Sequence, residues 1–235
     1  MPKTKRNNVA FIFARGGSKE ITKKNIQLLD NLPLIAYSIK VAKQTRIFDD
    51  IIVSTDSKEI AEIAGVHGIT TSELRPSELA LDNTPEWLCW KYEVEKYLET
   101  NSFSTFFSIP CTSPLRKPSD ITNMKKFYDN NQFDLVLGIC KSSKSPLFNM
   151  VKKDTSNKID RILLGDKEIT RRQDAMTYYD ITTVCYITSP EYILTSDSMF
   201  DGSLGGFEIP RERSLDIDTP YDLELAEFLI KKNAN

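Results

Sequence analysis

Residues 11–25 read FIFARGGSKEITKKN. Residues 9–14 are six consecutive apolar side chains, the length of a strand buried on both faces of a parallel sheet. The run stops in a loop carrying Arg15, Gly16, Gly17, Ser18, Lys19, Lys24 and Asn25. Ligands of parallel sheets gather where strands end, and this composition suits a phosphate. The glycine pair predicts backbone conformations that other residues avoid, with amide hydrogens close to an anion. Arg15 can grip oxygens in pairs, while the lysines act as point charges. Two familiar phosphate loops are excluded by spacing. A Walker loop needs glycine directly before its lysine, and Ser18 stands there; the dinucleotide fingerprint needs a third glycine where Lys19 stands. The plainer alternative is a solvated basic turn, although charge runs seldom follow a buried strand through a glycine pair.

The remainder of the chain sets this loop in context. A length of 235 residues suits one large α/β domain or a domain with a smaller appendage. Lys and Arg total 31 against 33 Asp and Glu, so nothing in the charge balance asks for nucleic acid, and the cations after the first strand are a local arrangement. Cys89, Cys111, Cys140 and Cys185 form no CxxC pair, which points away from zinc or a disulfide framework and toward a reducing cytoplasm. The start, MPKTKRNN, precedes too few apolar residues for a signal peptide or membrane span. It reads as a frayed tail or, less simply, as a short nuclear-import cluster.

In order, residues 34–42 show helical spacing with Pro33 in the first turn, 51–56 form a second buried strand, and 57–66 a helix ending near His67, where a cation suits the helix dipole. This alternation predicts a three-layer, mostly parallel α/β sheet. Residues 75–82 form a loop. Residues 84–100 form a helix whose Trp87, Trp90, Val94 and Tyr97 share one face, read as core rather than as a binding surface. Residues 104–109 are a strand running into PCTSPLR, 118–128 a helix and 133–140 a strand. From 141 to 180 the alternation breaks into short strands at 148–152 and 159–164, which predicts a small β arm within the single domain. A strand at 181–189, a helical turn at 190–195 and a helix at 219–231, capped by Thr219 with Pro220 in its first turn, complete the pattern. Before that last helix, Asp216 and Asp218 lie two apart. In an extended segment they share a face and can converge on magnesium together with substrate phosphates; alternatively, Asp218 assists the cap and Asp216 is solvated.

Taken together, ARGGSK with KKN, LPLIAYSI, IIVSTDSKEIAEIA, RPSELALD, CTSPLR, RRQD and LDIDTPYDLELAEF resemble, in order, the acylneuraminate cytidylyltransferase family of CMP-sugar synthetases. The resemblance implies a Rossmann-like nucleotidyltransferase fold and attack of a sialic-type (nonulosonic) acid on CTP, giving CMP-sugar and pyrophosphate with Mg2+. It implies that Arg15, Ser18, Lys19 and Lys24 line the CTP phosphates, with Arg15, Lys19 and Lys24 serving catalysis. Asn25 would reach the ribose, Arg75 would lie in the block that selects cytosine, and Asp216 and Asp218 would hold the metal. Thr112, Ser113, Arg172 and Tyr186 would face the acceptor. A homodimer, with neither nucleic acid nor membrane as partner, is also implied. Departures fall at Glu20, at Pro110 and at Thr182–Thr183, and residues 141–146 lack the histidines common in sialic acid enzymes. These keep legionaminic, pseudaminic and other modified acids open. The rival readings are a CMP-Kdo or CMP-amino-Kdo synthetase, a sugar 1-phosphate nucleotidyltransferase, and a non-catalytic nucleotide-binding protein.

Overall fold

The computed structural model describes residues 3–163 and 176–234. The apolar run that opens the sequence becomes β1 (Asn8–Phe13), hydrogen-bonded in parallel to both β2 (Asp50–Ser54) and β3 (Thr105–Ser108). β4 (Leu135–Lys141) is followed by a separate antiparallel hairpin, β5 (Val151–Lys153) and β6 (Ile159–Arg161), and then by β7 (Tyr179–Thr188) and β8 (Leu204–Glu208). The six-stranded sheet runs β8-β4-β7-β3-β1-β2, with β7 antiparallel to both neighbours and the other pairs parallel. It is therefore mostly parallel, with one reversed strand in its middle.

Successive side chains of a strand point to opposite faces, and β1 shows what this does here. Ala10 and Ile12 pack with Ile35 and Ile39 of α1 (Leu34–Thr45), Ile60 of α2 (Lys58–Val66) and Ile121 of α4 (Pro118–Asp129). Val9 and Phe11 face the other way, onto Trp87, Trp90 and Val94 of α3 (Glu86–Leu98) and Ile193 of α5 (Pro190–Thr195). Three layers result. The α3 stripe is core, as its spacing predicts: Trp90 is fully buried, with its ring 5.0 Å from Phe106 and 5.6 Å from Tyr186. All four cysteines are free and buried.

A third, smaller cluster positions the site. Ile21 from the loop after β1, Leu29, Leu34, Ile217 and Ala226 of α6 (Pro220–Ala234) pack together. They bring the ends of the chain to one place.

The structure adds elements that the pattern does not predict. β8 is a short, glycine-bearing edge strand. A hairpin pairs Leu28–Leu29 with Leu32–Pro33, its turn made by Asp30 and Asn31 at φ 47° and 62°, the left-handed region that short polar side chains tolerate. Pro33 caps α1 rather than standing inside it. His67 is the C-cap of α2, the place expected of it.

Candidate active site

In chain order the sheet grows from β1 to β2 on one side and then places β3 on the other. The crevice beyond the ends of β1 and β3 is thus a switch point, where ligands of such sheets bind. The loop after β1 begins there. Ala14 N–H donates to the Ser54 carbonyl at 2.9 Å, and Gly16 N–H donates to Asp56 Oδ1 at 2.9 Å. The expectation for the glycine pair needs correcting: neither glycine has positive φ, and the left-handed residue of the loop is Lys23, at φ 52°. Gly16 suits a close approach, because a Cβ there would lie a tight 3.1 Å from Ser57 Cβ. Asn25 donates to the Arg15 carbonyl at 3.0 Å, closing the loop on itself. Ser18 is half-buried, and Glu20 is exposed.

The exposed cations already hold an anion. Asp82 binds Arg15 Nη1 at 2.5 Å through one oxygen and Lys19 Nζ at 3.2 Å through the other. The Arg15 guanidinium first, and then Lys19, hold its carboxyl below the usual carboxylate value. Asp82 belongs to the RPSELALD block, but nothing in its spacing reveals that it seats on the loop after β1.

Lys24 turns toward the other end of the chain, with Nζ 3.0 Å from Asp218 Oδ1. Asp218 does not cap α6. That role falls to Thr219, as its position predicts: Thr219 Oγ1 accepts from Asp222 N–H at 3.3 Å, and the Asp222 carboxylate accepts in return from Thr219 N–H at 2.7 Å. Ile217 points into the third cluster, and its N–H donates to the Thr112 carbonyl at 2.8 Å. Asp216 and Asp218 therefore share the opposite side of this extended segment. Asp216 Oδ1 is buried without a hydrogen-bond partner. Burial is the largest cause holding the Asp216 carboxyl above its usual value; the Thr112 hydroxyl opposes it and the negative charge of Asp218 reinforces it. An orphaned carboxylate oxygen beside a second carboxylate is a donor set that fits a hard cation, whose other ligands are water and phosphate oxygens.

The register slips between Ile181 and Tyr186 of β7, a bulge of the kind that re-aims side chains beside active sites. Thr183 reaches Thr112 Oγ1 at 3.0 Å and Ser113 Oγ at 2.7 Å, and the Thr112 carbonyl accepts from Ile217 N–H, so Thr112 and Ser113 sit where the loop after β3 meets the segment that carries Asp216 and Asp218. Arg116 of the same loop is a staple. It is buried and donates to the carbonyls of Ser113 at 2.7 Å, Val184 at 2.8 Å and Pro110, and burial pulls its pKa down to about 10. Burial pushes the Cys111 thiol up to about 12, which makes it unreactive.

Arg15, Asn25, Arg75, Thr112 and Thr183 line one cleft of about 330 Å3. Arg75 is itself buried, donating Nη1–H to Ser54 Oγ at 3.2 Å. Glu86 lies on the floor of this cleft, hidden in the sequence within the aromatic helix. A larger cavity of about 640 Å3 adjoins Asp216, with Lys141, Thr182, Arg211 and Leu225 among its walls. Tyr186 packs into the core around Trp90 and is 8 % exposed. Arg172 lies outside the described residues. Among those residues no helix is long and apolar enough to cross a membrane.

Known proteins share this arrangement. The family model described as cytidylyltransferase matches residues 9–234. The post-translational flagellin modification protein B of Campylobacter coli is 32% identical over 224 residues, 94% of each chain. CMP-N,N'-diacetyllegionaminic acid synthase of Campylobacter jejuni is 34% identical over 222 residues, 93% of each chain. The solved CMP:2-keto-3-deoxy-manno-octonic acid synthetase complexed with CTP has the same fold, with a TM-score of 0.72 at 15% identity over 97% of this chain and 99% of that one. With the family model spanning residues 9–234 and relatives above 30% identity over nearly the whole length, the chain belongs to the cytidylyltransferase family and is a nucleotidyltransferase.

Proposed function

We propose that this enzyme activates a nonulosonic, sialic-type acid in the cytoplasm, joining it to CMP from CTP and releasing pyrophosphate. The observation that carries the reading is the Lys24–Asp218 contact, which joins the cation loop after β1 to the aspartate pair before α6. In the reaction, the acceptor's anomeric oxygen forms a bond to the α-phosphorus as the bond from that phosphorus to the bridging oxygen breaks. Pyrophosphate carries away the negative charge, and the hydroxyl proton passes to solvent. Arg15, Lys19 and Lys24, with Ser18, bind the triphosphate and stabilise the charge that grows on the leaving group, while the β1–β3 crevice holds the α-phosphorus in line. Asn25 orients the ribose. Asp216 and Asp218 hold Mg2+, which supplies charge neutralisation on the phosphates. Thr112 and Ser113 shape the floor, and Arg172 serves the acceptor side, whereas Tyr186, expected there, is withdrawn into the core around Trp90. The exposed apolar residues of the arm, among them Val151, Ile159 and Tyr179, support a homodimer.

Pyrophosphate release from CTP and magnesium tests the reaction across N-acetylneuraminic, diacetyllegionaminic, pseudaminic, Kdo and amino-Kdo acceptors. Release with a nine-carbon acid is expected. Release with Kdo alone would transfer the reading to an eight-carbon acid, and silence across the panel with CTP still bound would favour a non-catalytic nucleotide-binding role.

A further inference from the structure

Asp216 stands between two anchors, and both lead to the segment that follows β3. On its C-terminal side, Ile217 N–H donates to the Thr112 carbonyl at 2.8 Å. On its N-terminal side, Arg213 forks onto the Asp120 carboxylate in the first turn of α4, with Nη2 2.8 Å from Oδ1 and Nε 3.0 Å from Oδ2. Between Thr112 and Asp120 lies Arg116, whose bonds to the Ser113, Val184 and Pro110 carbonyls fix that segment. The short run from Arg213 to Asp216 is thus tied at both ends to one rigid piece. Asp120 already has a local task, accepting Lys117 N–H at 2.8 Å where α4 begins, and a neutral acceptor would suffice for it. The residue is nevertheless only 3 % exposed. A charge so deeply placed needs a partner, which Arg213 brings from 93 residues away. Its planar fork sets a direction as well as a charge, which a lysine would not.

We propose that Arg213 is a positioning residue for the metal: its pairing with Asp120 sets the place of the Asp216 carboxylate, and so the affinity of the aspartate pair for Mg2+. This rests on Asp216 and Asp218 being the metal pair, and extends that reading to a residue that touches neither metal nor substrate. Asp216 Oδ1 is buried without a hydrogen-bond partner, so where it lies follows from the backbone that the two anchors hold. Mg2+ demands near-ideal octahedral geometry, and a ligand left loose by about 0.5 Å gives up much of its worth. Groups that orient metal ligands from behind are typically worth about 10- to 100-fold in metal affinity. A cation this close to a metal site would by itself repel the metal; the Asp120 charge offsets it, and Arg213 orients the segment without weakening the site. In the sequence Arg213 looks like one more surface cation beside Arg211 and Glu212, because its partner is far away along the chain.

Calorimetric titration of the full chain with CTP in EDTA, and then with Mg2+·CTP, separates the metal's share of binding from the nucleotide's. The wild type should bind Mg2+·CTP more tightly. Arg213→Lys keeps a cation beside Asp120 but loses the fork, and should cut that advantage by about tenfold while its affinity for metal-free CTP stays at the wild-type value. An undiminished advantage would overturn the proposal, and a lower urea midpoint beside it would leave the pair as a bond of the fold alone. A single glycine inserted between Arg213 and Ser214 repeats the test with the ion pair intact, because slack in the tether should by itself cost about as much. Mg2+·CTP binding unchanged by the insertion would show that the Ile217 hydrogen bond places Asp216 unaided, which also overturns the proposal. A wild type that binds both forms alike would sink the aspartate pair as a metal site, and the role of Arg213 with it. A wild type that favours Mg2+·CTP, matched by both variants, would sink the role of Arg213 alone.

Discussion

The loops that follow β1 and β3 start from neighbouring parallel strands, and each carries an arginine among hydroxyl residues. Their arginines do opposite work. Arg15 meets a single exposed carboxylate, Asp82, a partner that an incoming anion can replace. Arg116 meets main-chain carbonyls of Ser113, Val184 and Pro110, which cannot leave. A cation after a strand therefore does not announce a ligand by itself; the replaceability of its partners decides.

The sharpest way to break that contrast is Arg116→Leu. Three buried carbonyls would lose their donor, and the expected loss of stability in urea denaturation is about 4 kcal/mol. A loss under about 1 kcal/mol would make the two loops alike. Lys19→Ala should do the converse, lowering turnover by about a hundredfold while the denaturation midpoint stays where it is. Wild-type turnover in the folded variant would remove the loop after β1 from catalysis. Asp218→Asn should raise the magnesium concentration for half-maximal activity by about tenfold, since one of two charged ligands becomes neutral; an unchanged metal titration would count against the pair. The smallest effect belongs to Asp82→Asn, which frees Arg15 and Lys19 and should tighten CTP binding severalfold. The sign with pH follows from the lowered pKa of Asp82. Its tie is complete above the ordinary carboxylate value and is lost only as pH falls through the depressed one. The tightening should thus be constant between about pH 5 and pH 8, and a tightening that vanishes at the acid end would show that the tie is not what limits CTP.

The same contrast explains what can be read from the amino-acid sequence. Strands β1 to β4 and the flanking helices are legible because burial on both faces demands continuous apolar runs and buried helix faces demand a stripe, as Trp87, Trp90 and Val94 provide. β8 is not, because an edge strand written LGGFE carries too few apolar residues to show a period. The reversed direction of β7 is also hidden, since direction is set by the arm that precedes it. In the site, Lys24, Asp216 and Asp218 are legible because cations, carboxylates and a strand end are chemistry visible in the residues themselves. Asp82 and Thr183 depend on partners far away along the chain, and Arg116 looks like Arg15 until its carbonyls are seen.

The reversal of β7 has a consequence for how this enzyme can diversify. β4 leaves the sheet at the end where β1 and β3 also finish, and an antiparallel β7 re-enters at that same end, where Ser142 N–H donates to the Tyr178 carbonyl at 2.9 Å. A connection closed by such a contact can change in length without shifting the ladder beneath it. Change is in this sense cheap at that connection, whereas β1, β3 and the segment before α6, packed and hydrogen-bonded to one another, can change only one side chain at a time.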